Sequence, residues 1–460
     1  MSWWSDLTPF RRRLAVAGFA VGVAIPGIVT LATNQAPPGE AACADRGELV
    51  VATGSDVSAA SYRRDLIQEW NSRPGSLNAR LVEISDSTDE ERAEMMAAVQ
   101  AGRCPYDILV LDVAWTPEFA AGGYLQEIAP GSIDHRDFVP KVWAAGQVDG
   151  AQFGVPFATD APLLFYKTGL PVPRDPAEML KEATAYGYAG QFDDYEGGTV
   201  NLMEAVESGG ARITDGDSVV LDDAGQAQTV VNAVTAWKNM LDAGAKTPNG
   251  RNLREESSLQ AFKTKNVGYM RNWPFAFHRL AVDSSMRDES NHLKFGIIPF
   301  PGRGIMGGVN LAVLKSSPHL AQALDLIKFL TSHDAQARLF ACGGYAPVLE
   351  SVYEEYRAKP TTCSTLHGTV DVSGEPQLET SPTELQAFAA AIRQSLSRAD
   401  ERPRSPYYAE FSTVFRACLR QAITGEVAPA DLDLPGLAAA MRDAADGRRP
   451  GTTACRKAFQ

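Results

Sequence analysis

Residues 48–112 decide the fold, and they read ELVVATGSDVSAASYRRDLIQEWNSRPGSLNARLVEISDSTDEERAEMMAAVQAGRCPYDILVLD. Short apolar runs in this stretch predict three strands: LVVA at 49–52, LVEI at 81–84 and ILVL at 108–111. Tyr62, Leu66 and Trp70 recur four residues apart between the first two runs, which is typical of one helix face. The order of strand, helix, strand, helix and strand predicts a parallel sheet covered on both faces.

The same alternation continues along the chain. Further strands are predicted at 162–167, 267–271, 295–299 and 309–314. Long periodic segments predict helices at 223–243, 318–332, 381–396 and 406–424. The fold class expected from this pattern is α/β.

Length and composition bound the domain organisation. A chain of 460 residues allows two or three domains, or one large unit with two lobes. Apolar residues make up 45% and charged residues 22%, which are values of a globular protein. The net charge of −13 argues against a nucleic-acid partner, because phosphate binding needs clustered lysine and arginine.

The N-terminal segment sets the expected compartment. Residues 14–33 carry no charge and are long enough to cross a bilayer core as a helix. Arginines at 11–13 come just before it, so residues 1–13 are expected to stay in the cytoplasm as a short stub. Residues 34–46 then form a linker. We expect a single-pass anchor in the cell membrane with the body of the protein outside.

Two other fates of this segment remain open. One is a cleaved secretory signal, although the apolar core is longer than such signals have. The other is a lipoprotein with lipid on Cys43, against which the charged Glu40 argues.

Six cysteines suit an exported body, where disulfides are permitted. We expect pairing in sequence order: Cys43 with Cys104, Cys342 with Cys363, and Cys418 with Cys455. The first pair rests on geometry, because each cysteine comes just before a predicted strand and parallel neighbours bring those starts together. Buried free thiols are the alternative. No CxxC occurs, so no metal site is expected.

Common catalytic and cofactor motifs are missing from the sequence. It contains no GxxxxGK[ST], HExxH or GxSxG. A GxGxxG string does occur at 302–307, but a dinucleotide fingerprint must open a helix, and here a predicted strand follows. We interpret 302–307 as a crossover loop and expect no cofactor.

Several ordered segments share a pattern with one family. They are DILVLDVAWTPEFAAGGYL at 107–125, GVPFATDAPLLFYK at 154–167, GYMRNWP at 268–274, GGVNLAV at 307–313, GYAP at 344–347, and RP at 402–403 with ITGE at 423–426. Their order resembles the extracellular solute-binding proteins of bacterial ABC importers, in the group that binds sugars and oligosaccharides, such as maltose and trehalose. The resemblance covers most of the predicted exported body.

The resemblance implies a type II periplasmic-binding-protein-like fold, with two α/β lobes joined by a hinge and a ligand cleft between them. The implied boundaries are 47–158 plus 303–344 for lobe 1 and 159–302 plus 345–460 for lobe 2. Closure about the hinge would bury a small-molecule solute, expected to be a carbohydrate, and the permease subunits of an ABC importer would receive it. Such a protein is not an enzyme, and we expect its body to be monomeric.

Candidate ligand residues lie at predicted strand ends and in the matching segments. A sugar needs flat aromatic surfaces and hydrogen-bonding groups at its rim. The candidate platforms are Trp115, Trp273 and Tyr345. The candidate rim partners are Asp56, Asp112, Asp160, Asn272 and Asn310.

Each of these candidates has a structural alternative. Asp56 and Asp112 are also placed to cap the helices that follow them. For Trp115 and Trp273 the alternative is a place in the hydrophobic core. A further group, Arg402 and Arg404 with Tyr407 and Tyr408, is placed either in the cleft or on solvated surface.

Other functions stay open from the sequence. Asp112 and Asp160 would be the carboxylate pair of an anchored glycan hydrolase or lyase. A sensory module acting through a membrane partner is another reading. Within solute binding, Arg271 or Arg303 would suit an organic anion, whereas the three aspartates would suit a polyamine.

Overall fold

The computed structural model describes residues 43–58, 61–216, 218–243, 250–264, 266–367, 379–449 and 455. The predicted stub, the predicted span at 14–33 and most of the predicted linker lie outside these residues. Within the described ranges, no helix combines the length and the apolar character needed to cross a bilayer.

The strands are short and belong to two main sheets and two small hairpins. In chain order they are β1 (Leu49–Thr53), β2 (Ala79–Glu83), β3 (Ile108–Asp112), β4 (Gln147–Val148), β5 (Ala151–Gln152), β6 (Val155–Asp160), β7 (Leu163–Lys167), β8 (Tyr188–Ala189), β9 (Thr214–Asp215), β10 (Ser218–Val219), β11 (Tyr269–Asn272), β12 (Phe295–Pro299) and β13 (Gly307–Val313).

The helices cover both faces of the sheets. In chain order they are α1 (Tyr62–Ser72), α2 (Thr88–Gln100), α3 (Thr116–Ala121), α4 (Pro140–Ala144), α5 (Pro176–Tyr186), α6 (Glu196–Ser208), α7 (Gln226–Ala243), α8 (Glu255–Lys263), α9 (Phe275–Ala281), α10 (Leu320–Leu330), α11 (His333–Arg338), α12 (Glu350–Ala358), α13 (Cys363–His367), α14 (Pro382–Arg398), α15 (Tyr408–Thr424) and α16 (Leu434–Ala445).

The first sheet has the strand order β2-β1-β3-β13-β6. β1 is parallel to both β2 and β3, which confirms the parallel sheet predicted from residues 48–112. β13 returns antiparallel to both β3 and β6. All residues of β1 are buried, because helices cover this sheet on both faces.

The second sheet has the strand order β12-β7-β11-β8, with β7 antiparallel to both of its neighbours. The chain passes from β6 of the first sheet to β7 of the second at residues 161–162, and returns between β12 and β13. The loop between α14 and α15 runs beside that return, since Ile305 forms a β-bridge with Asp400. We call the parts around the first and second sheets the first and second lobes; their residue boundaries stay a prediction.

The predicted elements agree with the observed ones to within a few residues. The segment 302–307 joins two strands, as interpreted from the sequence, and does not open a helix. The helix after β1 begins only at Tyr62, whose backbone N–H donates to the Ser58 hydroxyl at 3.1 Å, so Asp56 does not cap it. Ser61, immediately before the helix, has a φ of 59°.

The three disulfides pair in sequence order, as predicted: Cys43–Cys104, Cys342–Cys363 and Cys418–Cys455. The first one ties the start of β1 to the approach to β3, and those two strands are parallel neighbours. Each crosslink restricts the unfolded chain and so stabilises the fold by about 3–4 kcal/mol on the loop-entropy scale.

Candidate functional site

The candidate site lies where strands of the first sheet end and the chain crosses to the second lobe. Asp112 is the last residue of β3 and Asp160 is the last residue of β6. Asp56 follows β1, and Trp273 follows β11 of the second sheet. Ligands of open α/β sheets bind at such strand ends, so these four side chains are placed as the sequence predicted.

Asp160 and Trp273 flank the same glycine. Gly307 pairs with Asp160 across the first sheet. A methyl group added to Gly307 would lie 3.2 Å from the Asp160 Cβ and 3.4 Å from the Trp273 Cη2. The side chain of Asp160 and the indole edge of Trp273, which come from opposite lobes, therefore meet beside Gly307, which has no side chain.

The Asp160 carboxylate is unusual because, within the described part of the chain, it forms no hydrogen bond or ion pair. Burial raises the pKa of Asp160 to about 7, and Asp112 and Glu255 add to this effect. Arg271 and Arg402 oppose it without cancelling it. Asp160 is thus a half-buried acceptor that the protein leaves unsatisfied.

Trp273 has one contact at its indole nitrogen and another on the face of its ring. Its indole Nε1 donates to Glu255 Oε1 at 3.3 Å, and the Arg271 guanidinium carbon lies 3.7 Å from the ring centroid. Glu255 in turn accepts the Tyr195 hydroxyl at 2.6 Å. The indole remains half-buried, so part of its surface is open to a partner.

Asp56, in contrast, has hydrogen-bond donors at Oδ1 and an ion-pair partner at Oδ2, although Oδ2 accepts no hydrogen bond. Its Oδ1 accepts the Ser58 backbone N–H and the Tyr345 hydroxyl, both at 2.9 Å. Its Oδ2 lies 3.5 Å from Arg63 Nε. Burial alone would raise the pKa of Asp56, but Arg63 and these hydrogen bonds lower it below its ordinary value. Asp56 therefore fixes Tyr345, which is half-buried beside Phe157.

Asp112 is shared between a backbone N–H and an arginine. Its Oδ1 accepts the Ala114 backbone N–H at 2.8 Å and Arg402 Nη2 at 2.5 Å. The same guanidinium donates through Nη1 to Glu196 Oε1 at 3.0 Å. The Ala114 N–H lies before the N-cap residue Trp115 of α3, so Asp112 does not cap that helix. Arg402 is buried against Asp112 and is not on solvated surface.

Glu91 adds a further acid to the first lobe. It lies on α2 against Gly54, where an added Cβ would be only 2.8 Å from Glu91 Oε2. Burial raises the pKa of Glu91 to about 8, reinforced by Asp112 and opposed by Arg63. Sequence analysis missed Glu91, because an acid in the first turn of a helix reads as a partner of the helix dipole.

Three predicted site residues require correction. Trp115 is 2% exposed, and its ring packs against Tyr408 with centroids 5.6 Å apart, so it offers no face to a solute. Asn272 is fully buried, and its amide donates to the Glu255 carbonyl at 3.1 Å. Asn310 is fully buried as well, and its amide donates to the Thr116 hydroxyl at 3.0 Å. These amides are tied to the protein interior.

The two lobes and the segments that cross between them have the fold of type II periplasmic binding proteins. Maltose-bound MalE3 of T. maritima has a similar structure, with a TM-score of 0.71 and 24% identity, over 86% of this chain and 99% of that chain. UgpB of Mycobacterium tuberculosis in complex with glycerophosphocholine is similar with a TM-score of 0.67 and 16% identity, over 88% and 99%.

The sequence identifies the family. The model of the bacterial extracellular solute-binding proteins matches residues 78–362, which is more than half of the chain. The chain therefore belongs to the bacterial extracellular solute-binding protein family, as its resemblance predicted. A protein of Deinococcus radiodurans named "Probable ABC transporter-binding protein" is 24% identical over 316 residues, 62% of this chain and 72% of its own length.

Proposed function

We propose that this chain is the substrate-binding subunit of an ABC importer and captures a carbohydrate in the cleft between its lobes. The observation that carries the proposal is the unpaired Asp160 carboxylate beside the half-buried Trp273 indole. A sugar presents C–H faces that pack on an aromatic ring and hydroxyl groups that donate to a carboxylate. Closure about the crossing segments would bury the sugar for delivery to the permease.

The contacts of Asp112 favour a role in binding a solute over a role in catalysis. Asp112 is held by Arg402 and the Ala114 N–H, so it is an anchored acceptor rather than a free nucleophile. The structural relatives in complex with maltose and glycerophosphocholine are consistent with a small polar solute. The membrane tether at residues 14–33 belongs to the same proposal, since it would keep the body beside its permease.

A second candidate is a solute that carries a positive charge, such as a polyamine or an amine-bearing sugar. Glu91, Asp160 and Glu255 form no ion pair within the described residues. The nearby arginines are already engaged: Arg63 with Asp56, Arg271 with Glu204, and Arg402 with Asp112 and Glu196. An ammonium group would lower the raised pKa values of Glu91 and Asp160 and so favour their charged forms.

A thermal-shift screen of the purified body against sugars, polyamines and organic anions tests the proposal. A solute at 100 times its dissociation constant adds about 2.7 kcal/mol to the free energy of unfolding. We expect a neutral mono- or oligosaccharide to raise the melting temperature. A shift with spermidine and with no sugar would support the second candidate and contradict the first.

The tether is tested separately by fractionating cells that produce the full chain. We expect the body in the membrane fraction and its release when residues 1–33 are deleted. Recovery of the full-length chain in the soluble fraction would contradict the tether and leave the solute proposal standing.

A further inference from the structure

Arg402 joins the two lobes. It lies in the loop between α14 and α15, which is fixed to the crossing segment by hydrogen bonds from Asp400 N to the Gly304 carbonyl and from Met306 N to the Asp400 carbonyl, both at 2.7 Å. From this anchored loop its side chain reaches Asp112 at the end of β3 in the first lobe. Its other nitrogen reaches Glu196.

Glu196 belongs to the second lobe. It begins α6, and that helix is fixed to the second sheet because Glu204 forms a buried ion pair with Arg271 of β11. Glu196 Oε1 also accepts the Tyr408 hydroxyl at 2.7 Å, and its Oε2 accepts the Ser412 hydroxyl at 2.6 Å. Each oxygen of the Glu196 carboxylate therefore accepts a hydrogen bond within the second lobe, in addition to the contact with Arg402.

Two more contacts cross between the lobes at the same place. The Glu196 backbone N–H donates to Asp89 Oδ2 of α2 at 2.7 Å. The Trp115 and Tyr408 rings, one from each lobe, pack with centroids 5.6 Å apart. Together with the ion cluster of Asp112, Arg402 and Glu196, they form what we call the inter-lobe brace.

The brace is buried. The side chains of Arg402 and Glu196 are 4% and 3% exposed, and that of Asp112 is 18% exposed. A buried ion pair that loses one member leaves an uncompensated charge, which is strongly unfavourable. Without Arg402, the carboxylates of Asp112 and Glu196 would face each other from opposite lobes. Separating the lobes would relieve their repulsion, so we expect the loss of Arg402 to move the lobes apart.

We propose that Arg402 is a positioning residue: through the inter-lobe brace it holds the two lobes together before a solute arrives. This rests on the proposed function only in taking the cleft as the place where solute binds. An affinity is reduced by the fraction of molecules in the competent arrangement. Loss of the brace therefore weakens binding of every solute alike, whereas a contact residue would change selectivity.

Small-angle X-ray scattering of the ligand-free protein tests the brace without knowledge of the solute. The variant is Arg402→Met, and the matched control is Arg404→Met, an exposed arginine on the same loop that pairs with Glu401. We expect Arg402→Met to have a larger radius of gyration than the wild type. We expect Arg404→Met to match the wild type.

A double variant that leaves the net charge unchanged distinguishes a positioning role of Arg402 from a general loss of structure. In Arg402→Met with Glu196→Gln, the repulsion between the lobes is gone, so we expect the radius of gyration to return toward the wild-type value. If Arg402→Met does not fold by circular dichroism, Arg402→Lys replaces it, with a smaller expansion expected. Arg402→Met or Arg402→Lys with a wild-type radius of gyration would overturn the proposal.

Solute affinity provides the second readout. For any solute found in the thermal-shift screen, we expect Arg402→Met to bind about tenfold more weakly, with the ranking of solutes unchanged. A changed ranking would show that Arg402 contacts the solute and is not a positioning residue. If no solute binds the wild type, the proposed function fails, while the scattering result still decides the brace.

Discussion

Asp56 and Asp160 are the same residue type at the ends of two strands of the first sheet, β1 and β6, and they differ in every contact. Asp56 is bound by Ser58, Tyr345 and Arg63, and its pKa is lowered. Asp160 has no such partners within the described residues, and its pKa is raised to about 7. From this contrast we expect Asp56 to belong to the wall of the site and Asp160 to be the acceptor for a ligand.

The largest expected difference between the two aspartates is in stability at pH 8. Asp56→Asn leaves the buried Arg63 guanidinium without its counter-ion, so we expect the free energy of unfolding to fall by about 3–5 kcal/mol. Asp160→Asn removes an unpaired half-buried charge, so we expect a rise. Urea unfolding of both variants measures this. If Asp160→Asn loses as much stability as Asp56→Asn, then the two carboxylates do not differ in how the fold pairs them.

The next largest effect is on solute affinity. Trp273→Ala removes the aromatic surface beside Asp160, and we expect affinity for the best carbohydrate of the screen to fall about tenfold. Trp237→Ala, deep in the second lobe, is the matched control for tryptophan loss, and its effect should be on stability alone. Isothermal titration calorimetry measures both. Unchanged affinity in Trp273→Ala would show that the solute does not bind beside Trp273.

The pH dependence sharpens the comparison further. The folded pKa of Asp160, about 7, exceeds the unfolded carboxyl value of about 4, so the ligand-free fold loses stability as the pH rises through 7. Solute affinity should rise over the same interval, because the carboxylate accepts hydrogen bonds better than the acid.

Glu91 and Glu207 titrate with the same sign, at about 8 and about 7, so the control is the difference between wild type and Asp160→Asn. We expect the affinity profile to lose its rise near pH 7 in the variant. If Asp160→Asn keeps the rise in solute affinity near pH 7, then a group other than Asp160 titrates there.

The smallest effect is expected from Gly307→Ala. Its new methyl group would lie between Asp160 and Trp273, so we expect affinity to fall several-fold with a stability loss of about 1 kcal/mol. Wild-type affinity in Gly307→Ala would mean that the solute does not bind beside Gly307.

Much of the fold could be predicted because its signals are local. Apolar runs of four or five residues mark β1 and β3, and the capping box of Ser381 and Glu384 marks the start of α14. The Cys43–Cys104 disulfide followed from strand pairing. These predictions depend on neighbours in the sequence or in one parallel sheet.

The site could be predicted only in part, because its chemistry depends on distant partners. Asp112 and Arg402 are 290 residues apart, and Asp56 and Tyr345 are 289 apart. Position at a strand end brought the aspartates to the cleft, but it could not show which of them is already paired. Asn272 and Asn310 are buried because other elements supply their hydrogen bonds, and nothing beside them in the sequence indicates this.

The most direct test is calorimetric titration of the body at pH 8 with maltose and trehalose, in the wild type and in Asp160→Asn. A charged hydrogen bond contributes about 1.5–3 kcal/mol, so we expect one saturable site per chain in the wild type and at least about tenfold weaker binding in the variant. Binding of glycerophosphocholine or spermidine with no binding of either sugar, or equal sugar affinity in both proteins, would contradict the account.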